Sequence, residues 1–265
     1  PSPKTHKDLR NHLLGPQFRE AEKSHLQSHQ VSKTWYEVER HQAIRKELLD
    51  CMWVYVYKFD KHGRLVKCKA RLVIRGDQQA KNGQESTYAS TLAGRSFRTL
   101  IAIAARFDLE LLQFDVTNAF VNADLDQEIY MRMPLGYRKG GTVYRLRKAI
   151  YGLRQAPLLW QRHFTSTLIS IGFKQIPHEP CCYGKDGVLV FFYVDDIAIA
   201  FTKEKQPLVN RLITSLKRKY TMTGGGELQW FLGIEIIRDR KQRTIQLSQA
   251  SFIDKMAKLV TESLY

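Results

Sequence analysis

The chain has 265 residues, of which 43% are hydrophobic and 26% charged. That length buries a sizeable core, and the balance excludes a chain disordered throughout or a fibrous repeat. Lys+Arg number 42 against 26 Asp+Glu, a net charge of +16 that favours a polyanionic partner such as nucleic acid over a small acidic substrate.

In chain order, FREAEKSHLQSHQ (18–30) reads as a polar helix and MWVYVYKF (52–59) alternates as a strand does. Asp60-Lys61-His62-Gly63 supplies a turn into a second strand, Leu65 to Ile74. This predicts a long hairpin with a basic face carrying Lys58, Arg64, Lys67, Lys69, Arg71 and Arg75. SFRTLIAIAARF (96–107) fits a buried helix, and strands are expected at 109–116 and 128–133. Trp160, Phe164 and Leu168 recur at i, i+4, i+8, marking an amphipathic helix after Pro157. Two apolar strands, Val188 to Val194 and Ile197 to Phe201, then meet at Asp195-Asp196. Leu208, Leu212 and Leu216 mark a further helix, Trp230 to Ile237 and Thr244 to Leu247 a hairpin, and Ser248 the cap of a last helix. Strands and helices interleave without regular βαβ repetition, which argues for an α+β fold.

No apolar run approaches the roughly 18–20 residues that span a bilayer, and Pro1 to Leu14 carries no signal-peptide core, so a soluble intracellular chain is expected. Cys51, Cys68, Cys181 and Cys182 lack CxxC spacing and support neither a disulfide framework nor a zinc knuckle; His178 near Cys181 and Cys182 is better read as ordinary packing than as a metal ligand. The chain begins at Pro1 without an initiator Met and reads as a piece of a longer polypeptide.

Asp195 and Asp196 carry the chemistry. Adjacent carboxylates between apolar strands repel each other and lose hydration unless cations compensate them. Asp115 ends a comparable apolar strand, LLQFDV (111–116), before a turn-like TNAF. If the two strands are neighbours, the carboxylates converge at one strand-end edge, where hard oxygen ligands suit Mg²⁺. Two such ions about 3.5–4 Å apart would stabilise both oxygens of an in-line phosphoryl transfer. On spacing alone, a polar hairpin tip at Asp195-Asp196 and a helix cap at Asp115 explain the same residues.

Longer strings narrow the choice. Tyr193-Val194-Asp195-Asp196 resembles the YxDD box of reverse transcriptases. KARLVIRG (69–76), FDVTNAFVNADLDQEIYMRMPLGY (114–137), YRLRKAIYGLRQAPLLWQRHF (144–164), FFYVDDIAIA (191–200) and FLGIEI (231–236) closely resemble, in order, the polymerase domain of Ty1/copia-type retrotransposon polyproteins. The likeness covers roughly Gly15 to Val260. TYASTLAGRSF (87–97) departs from the family's TFSPV-like string, and Gly224-Gly225-Gly226 is looser than expected before the hairpin at 230.

The resemblance implies a right-hand polymerase with fingers and palm over 16–260, an antiparallel palm sheet packed on helices and a truncated or absent thumb. A flexible segment 1–15 would precede it and a tail 261–265 follow. RNase H, protease and integrase regions do not fit within the chain. By position, Asp115, Asp195 and Asp196 would be catalytic and, with the carbonyl of Val116, would hold two Mg²⁺ ions, Mn²⁺ serving as a substitute. Lys69 and Arg71 would meet the triphosphate, Arg gripping phosphate oxygens with its planar fork. Phe120 would exclude a ribose 2′-hydroxyl, and Gln155 would lie along the incoming nucleotide. Tyr193 and a turn at Phe231, Leu232 and Gly233 would hold the primer end, Gly233 permitting close backbone approach. Implied partners are an RNA or DNA template–primer, dNTPs and the RNase H and integrase segments of a parent polyprotein, with no membrane; the implied location is a cytoplasmic virus-like particle whose DNA product passes to the nucleus. A catalytically silent, truncated or domesticated nucleic-acid-binding relic is the alternative. Phe120 and GLRQAP disfavour another two-metal nucleotidyltransferase.

Overall fold

A computed structural model describes residues 1–60, 63–80 and 87–262. Lys61 and His62, at the tip of the expected turn, and the tail residues 263–265 lie outside them. The first elements are α1 (Gly15–Val31), β1 (Trp35–Glu39), β2 (Glu47–Leu49), β3 (Cys51–Phe59) and β4 (Leu65–Ile74). Then come α2 (Gly94–Arg106), β5 (Glu110–Val116), β6 (Ile129–Arg132), β7 (Thr142–Leu146) and α3 (Ala156–Ser170). Strands β8 (Lys174–Ile176), β9 (Glu179–Lys185), β10 (Val188–Tyr193) and β11 (Asp196–Phe201) follow, then α4 (Gln206–Lys219). The last are β12 (Met222–Glu227), β13 (Trp230–Phe231), β14 (Ile234–Asp239), β15 (Thr244–Ser248) and α5 (Ala250–Glu262). Two compact units result, Pro1–Ala89 with Phe120–His163 and Ser90–Ala119 with Phe164–Tyr265.

The first unit holds a four-stranded sheet, β1-β7-β6-β2, and the β3-β4 hairpin. β2 runs parallel to β6, whereas β1–β7, β6–β7 and β3–β4 are antiparallel. The hairpin buries Trp53, Tyr55, Ala70, Leu72 and Ile74. Lys67, Lys69 and Arg71 pair with Lys58, Val56 and Val54, so the strand period of two places Lys58, Lys67, Lys69 and Arg71 together on the opposite face. Helix α1 is less polar in its packing than its sequence: Phe18, Glu22, Leu26 and His29 are buried at helical spacing, and Phe18 meets Tyr55 edge-to-face at 5.3 Å. The buried Glu22 carboxylate accepts hydrogen bonds from the Tyr55 and Tyr137 hydroxyls and pairs with His6 at 2.9 Å. Within 1–15, expected to be flexible, residues 6–10 form a 3-10 turn and Leu9 is buried.

The second unit centres on a six-stranded antiparallel sheet, β12-β5-β11-β10-β9-β8. Val188, Val190, Phe191, Phe192 and all of Ile197 to Phe201 are buried, so the central pair β10–β11 is covered on both faces and reads as a continuous apolar run rather than an alternation. Phe164 packs edge-to-face on Phe192 at 4.9 Å, and the Thr167 and Tyr220 hydroxyls bond at 2.7 Å. Helix α2 is amphipathic rather than buried all round, sinking Phe97, Leu100, Ile101 and Ala104 while Arg95 and Arg98 face water. In α4 it is Val209, not Leu208, that joins Leu212 and Leu216 inside.

The expected strand 230–237 is broken. Leu232 (φ 56°) and Gly233 (φ 73°) turn the chain back so that β13 pairs with β14, and β15 completes a three-stranded sheet. Arg238, on β14, donates to the Leu109 carbonyl and pairs with Asp108, both at 2.6 Å, tying this sheet to the segment that leads into β5. The expected cap shifts by one residue: Ser248 ends β15, and Gln249, whose carbonyl accepts from the Phe252 and Ile253 amides at 2.9 and 3.0 Å, holds the N-cap position of α5, while the Ser248 hydroxyl accepts from the Ala250 amide at 3.3 Å. Among the described residues no helix is long and apolar enough to cross a membrane, and all four cysteines are free.

Candidate active site

The acidic residues gather in the second unit. β11 pairs with β5 so that Asp196 stands opposite Asp115, and Tyr193 closes the hairpin opposite Asp196. Val194 and Asp195 form the two-residue turn between them. The Val116 amide donates to the Asp195 carbonyl at 2.9 Å, stitching the turn to the end of β5. Val194 has φ +55°, an uncommon conformation for a β-branched residue that costs of order 1–3 kcal/mol and persists only where the surroundings impose it. Asp115 is exposed and both Asp195 and Asp196 are half-buried.

Burial, followed by the negative charges of Asp195 and Asp115, raises the Asp196 carboxyl above the ordinary aspartate value, while a hydrogen bond with Gln113 pulls the other way. This is the behaviour of a carboxyl that loses hydration and has like charges beside it. Among the described residues no three His, Cys, Asp or Glu side chains are closed tightly enough to hold a metal ion as they stand. Their chemistry nevertheless fits one: three hard carboxylates at adjoining strand ends, with a repulsion that a divalent cation would relieve.

On the far side of β5 lies β12, with Thr223 opposite Asp115. Two of the three consecutive glycines have a local reason. Gly224 (φ +93°) and Gly225 (φ +100°) form a bulge against β5; a Cβ on Gly224 would lie 2.6 Å from the Gln113 carbonyl, and one on Gly225 3.1 Å from the Phe114 ring. Only glycine lets β12 lie this close to the strand that carries Asp115.

The expected primer-side residues divide. Tyr193 is exposed, and Leu232 and Gly233 sit at an accessible turn. Phe231 does not join them: its side chain is 1% exposed, stacked on Phe97 at 5.4 Å and edge-to-face with Phe191 at 5.6 Å. Its ring anchors the turn in the core.

The expected nucleotide residues all lie in the first unit. Lys69 and Arg71 project from the basic face of the hairpin, and the Arg71 guanidinium stacks over the Tyr151 ring, 4.3 Å from its centroid. Phe120, in a 3-10 turn at Ala119–Asn122, meets the same ring at 4.5 Å and 63°. Gln155 is buried in a chain of amides: its carbonyl accepts from Gln79 at 3.0 Å and its NH₂ donates to Gln127 at 3.0 Å. Tyr151, Gln79 and Gln127 escaped the sequence reading. Tyr151 stands within YRLRKAIYGLRQAPLLWQRHF without a role of its own; nothing in the spacing of Gln79 or Gln127 marks either.

Residues 32–262 match the family model described as "Reverse transcriptase (RNA-dependent DNA polymerase)". The chain is 34% identical over 263 residues to the Retrovirus-related Pol polyprotein from transposon TNT 1-94 of Nicotiana tabacum, covering 96% of this chain and 20% of that protein. It is 31% identical over 214 residues to the Pol polyprotein from transposon RE1 of Arabidopsis thaliana, 78% of this chain and 14% of the relative. Against the Transposon Ty1-DR1 Gag-Pol polyprotein of Saccharomyces cerevisiae it is 28% identical over 223 residues, 81% of this chain and 12% of the relative. The chain thus spans a fifth or less of the length of each of these relatives.

Proposed function

The chain belongs to the reverse transcriptase family of Ty1/copia-type retrotransposon polyproteins, and from that premise we propose that it is an RNA-directed DNA polymerase that extends a primer with dNTPs on an RNA or DNA template. The observation that best supports this reading is the gathering of Asp115, Asp195 and Asp196 at adjoining strand ends, with Asp196 in register with Asp115. In this reading 16–260 comprises fingers and palm, with β3-β4 in the fingers and the six-stranded sheet in the palm.

Asp115 and Asp195, with Asp196 beside them and the Val116 carbonyl, would hold Mg²⁺, two ions in all, or Mn²⁺ in its place. Divalent cations bound there supply Lewis-acid stabilisation to the attacking and departing oxygens of nucleotidyl transfer. The residues of the chain do the rest. Lys69 and Arg71 neutralise the triphosphate, and Arg71 presents its N–H edge to phosphate oxygens. Phe120 bars a 2′-hydroxyl, and Gln155, held by Gln79 and Gln127, lies along the nucleotide. Tyr193 and the Leu232–Gly233 turn hold the primer end, with Phe231 as their buried anchor. Template is gripped through phosphate charge with little base readout, as an enzyme that copies any sequence requires. The chain works beside the RNase H and integrase segments of its polyprotein, in a cytoplasmic virus-like particle.

Primer extension on an RNA template with Mg²⁺ and dNTPs, comparing the wild-type chain with Asp195→Asn at low and moderate salt, tests the reading. Extension that is lost in the variant supports it. The absence of extension from either, with tight binding by both that weakens steeply with salt, favours the silent nucleic-acid-binding module instead.

A further inference from the structure

We propose that Tyr151 is the positioning residue that holds the phosphate-side cation Arg71 and the sugar-side ring Phe120 as one unit, so that nucleotide affinity and sugar selectivity depend on the same side chain. The inference rests on the polymerase reading and deepens it.

The backbone explains why Tyr151 stands where it does. The Ile74 amide, at the end of β4, donates to the Tyr151 carbonyl at 2.9 Å. The next residue, Gly152, has φ +98°, and a Cβ there would fall 2.0 Å from the Ile74 carbonyl; a Cβ on Gly76 would likewise fall 2.0 Å from the Gly152 carbonyl. Two glycines therefore permit a backbone approach that no other residue allows. That approach clamps Tyr151 against the strand carrying Arg71, three residues before Ile74.

The ring then makes two contacts. The contact with Tyr151 engages the face of the Arg71 guanidinium, whereas the N–H donors that grip phosphate oxygens lie in the guanidinium plane. A side chain with long rotamer freedom is thus ordered before any ligand arrives. Phe120 is 7% exposed and tilted against the same ring at 4.5 Å, so its orientation is set by Tyr151 rather than by solvent. Removing the ring frees the cation and lets Phe120 turn into the space left behind.

Single-nucleotide incorporation of dNTP and rNTP by the full chain tests this with Tyr151→Leu, Tyr151→Phe, Arg71→Lys and the Arg71→Lys/Tyr151→Leu double variant. Tyr151→Leu is expected to raise the dNTP KM about five- to tenfold with kcat within about twofold, and to lower the dNTP-over-rNTP preference by about tenfold. Tyr151→Phe, which keeps the π face, restores both. In the Arg71→Lys background, Tyr151→Leu adds less than about twofold to KM, because the stacking it would remove is already lost. If Tyr151→Leu loses its circular-dichroism spectrum, Tyr151→Met, which fills the volume flexibly, takes its place. Unchanged KM and preference in the leucine or methionine variant, or a fall in kcat alone, overturns the role of Tyr151 while leaving the polymerase reading intact. No extension by the wild-type chain on any template–primer overturns the polymerase reading and this role with it.

Discussion

Asp196 faces Asp115 across the β5–β11 ladder, and its carboxyl is raised by burial and by the charges of Asp195 and Asp115. Because the folded value lies above the unfolded one, the charged form of Asp196 disfavours folding. The folded state gains relative stability below the unfolded pKa and loses it as pH rises through the raised folded value. Asp196→Asn is therefore expected to raise the melting temperature at pH 7.5 without divalent cation, by no more than about 4 °C given its half-exposure. The gain should vanish near pH 4. Adding millimolar Mg²⁺ should stabilise the wild type more than the variant. Thermal melts at both pH values decide it, and an equal gain at both would remove the ionisation of Asp196 as the cause.

The same cluster makes a kinetic prediction. Asp115→Asn and Asp195→Asn keep the shape of the side chain and remove the anionic donor, so each should lower primer extension by several orders of magnitude with the circular-dichroism spectrum unchanged. Asp115 is exposed at its strand end and Asp195 occupies a turn, so neither substitution disturbs the core. Near-normal extension by either variant would take the reaction away from these acids.

How much of this was legible in the sequence depends on how local each feature is. The β10–turn–β11 hairpin was legible because two apolar runs flank two acids, and the pairing of the Asp115 and Asp195 strands followed as a condition that the ladder meets. The apolar pattern of 230–237 reads as one strand, whereas the resemblance places a turn at Phe231-Leu232-Gly233; the break lies in the positive φ of Leu232 and Gly233, and of the two only the glycine is a residue type that signals it. Phe231 was expected at the primer because its motif is there, yet burial against Phe97 and Phe191 depends on residues far away in the chain. Long-range partners also decide Gln155, whose amide is fixed by Gln79 and Gln127, 76 and 28 residues distant. Glu22 belongs with these: a charge in a helix that reads as polar becomes a buried acceptor only once Tyr55 and Tyr137 are brought to it.

Two glycines on positive-φ backbone give contrasting predictions. Gly224→Ala places a Cβ 2.6 Å from the Gln113 carbonyl, on backbone that cannot yield, whereas the Cβ of Gly233→Ala meets nothing within 4 Å. Both carry the conformational cost of about 1 kcal/mol, but only Gly224→Ala adds a collision beside Asp115. Urea unfolding should show Gly224→Ala as the more destabilised, by at least about 1–3 kcal/mol relative to wild type. It should also lose metal-dependent extension, because β12 can no longer lie along β5. Equal loss in the two variants would mean that φ alone matters.

A pair of histidines in the first unit sets a pH dependence of the opposite sign. His29 is buried, 3.0 Å from the Thr34 hydroxyl and 3.1 Å from His25 through their Nε2 atoms, and stacks on Trp35 at 4.7 Å. Burial first, then the positive charges of Arg71 and Lys69, lowers His25 to about 4; burial first, then His25, lowers His29 to about 3. Both are neutral in the folded state at pH 6, whereas in the unfolded chain they titrate near the ordinary value of about 6.5. Unfolding therefore takes up protons below that pH, so the stability is fully present above about 6.5 and is lost as pH falls toward about 4, at up to about 1.4 kcal/mol per pH unit for each proton. His25→Gln removes one of the two groups that take up a proton on unfolding. The urea midpoint of this variant should therefore fall less steeply between pH 6.5 and 4.5 than that of the wild type. A slope unchanged by the substitution would assign the acid sensitivity of the fold to its carboxylates, because those are common to both proteins.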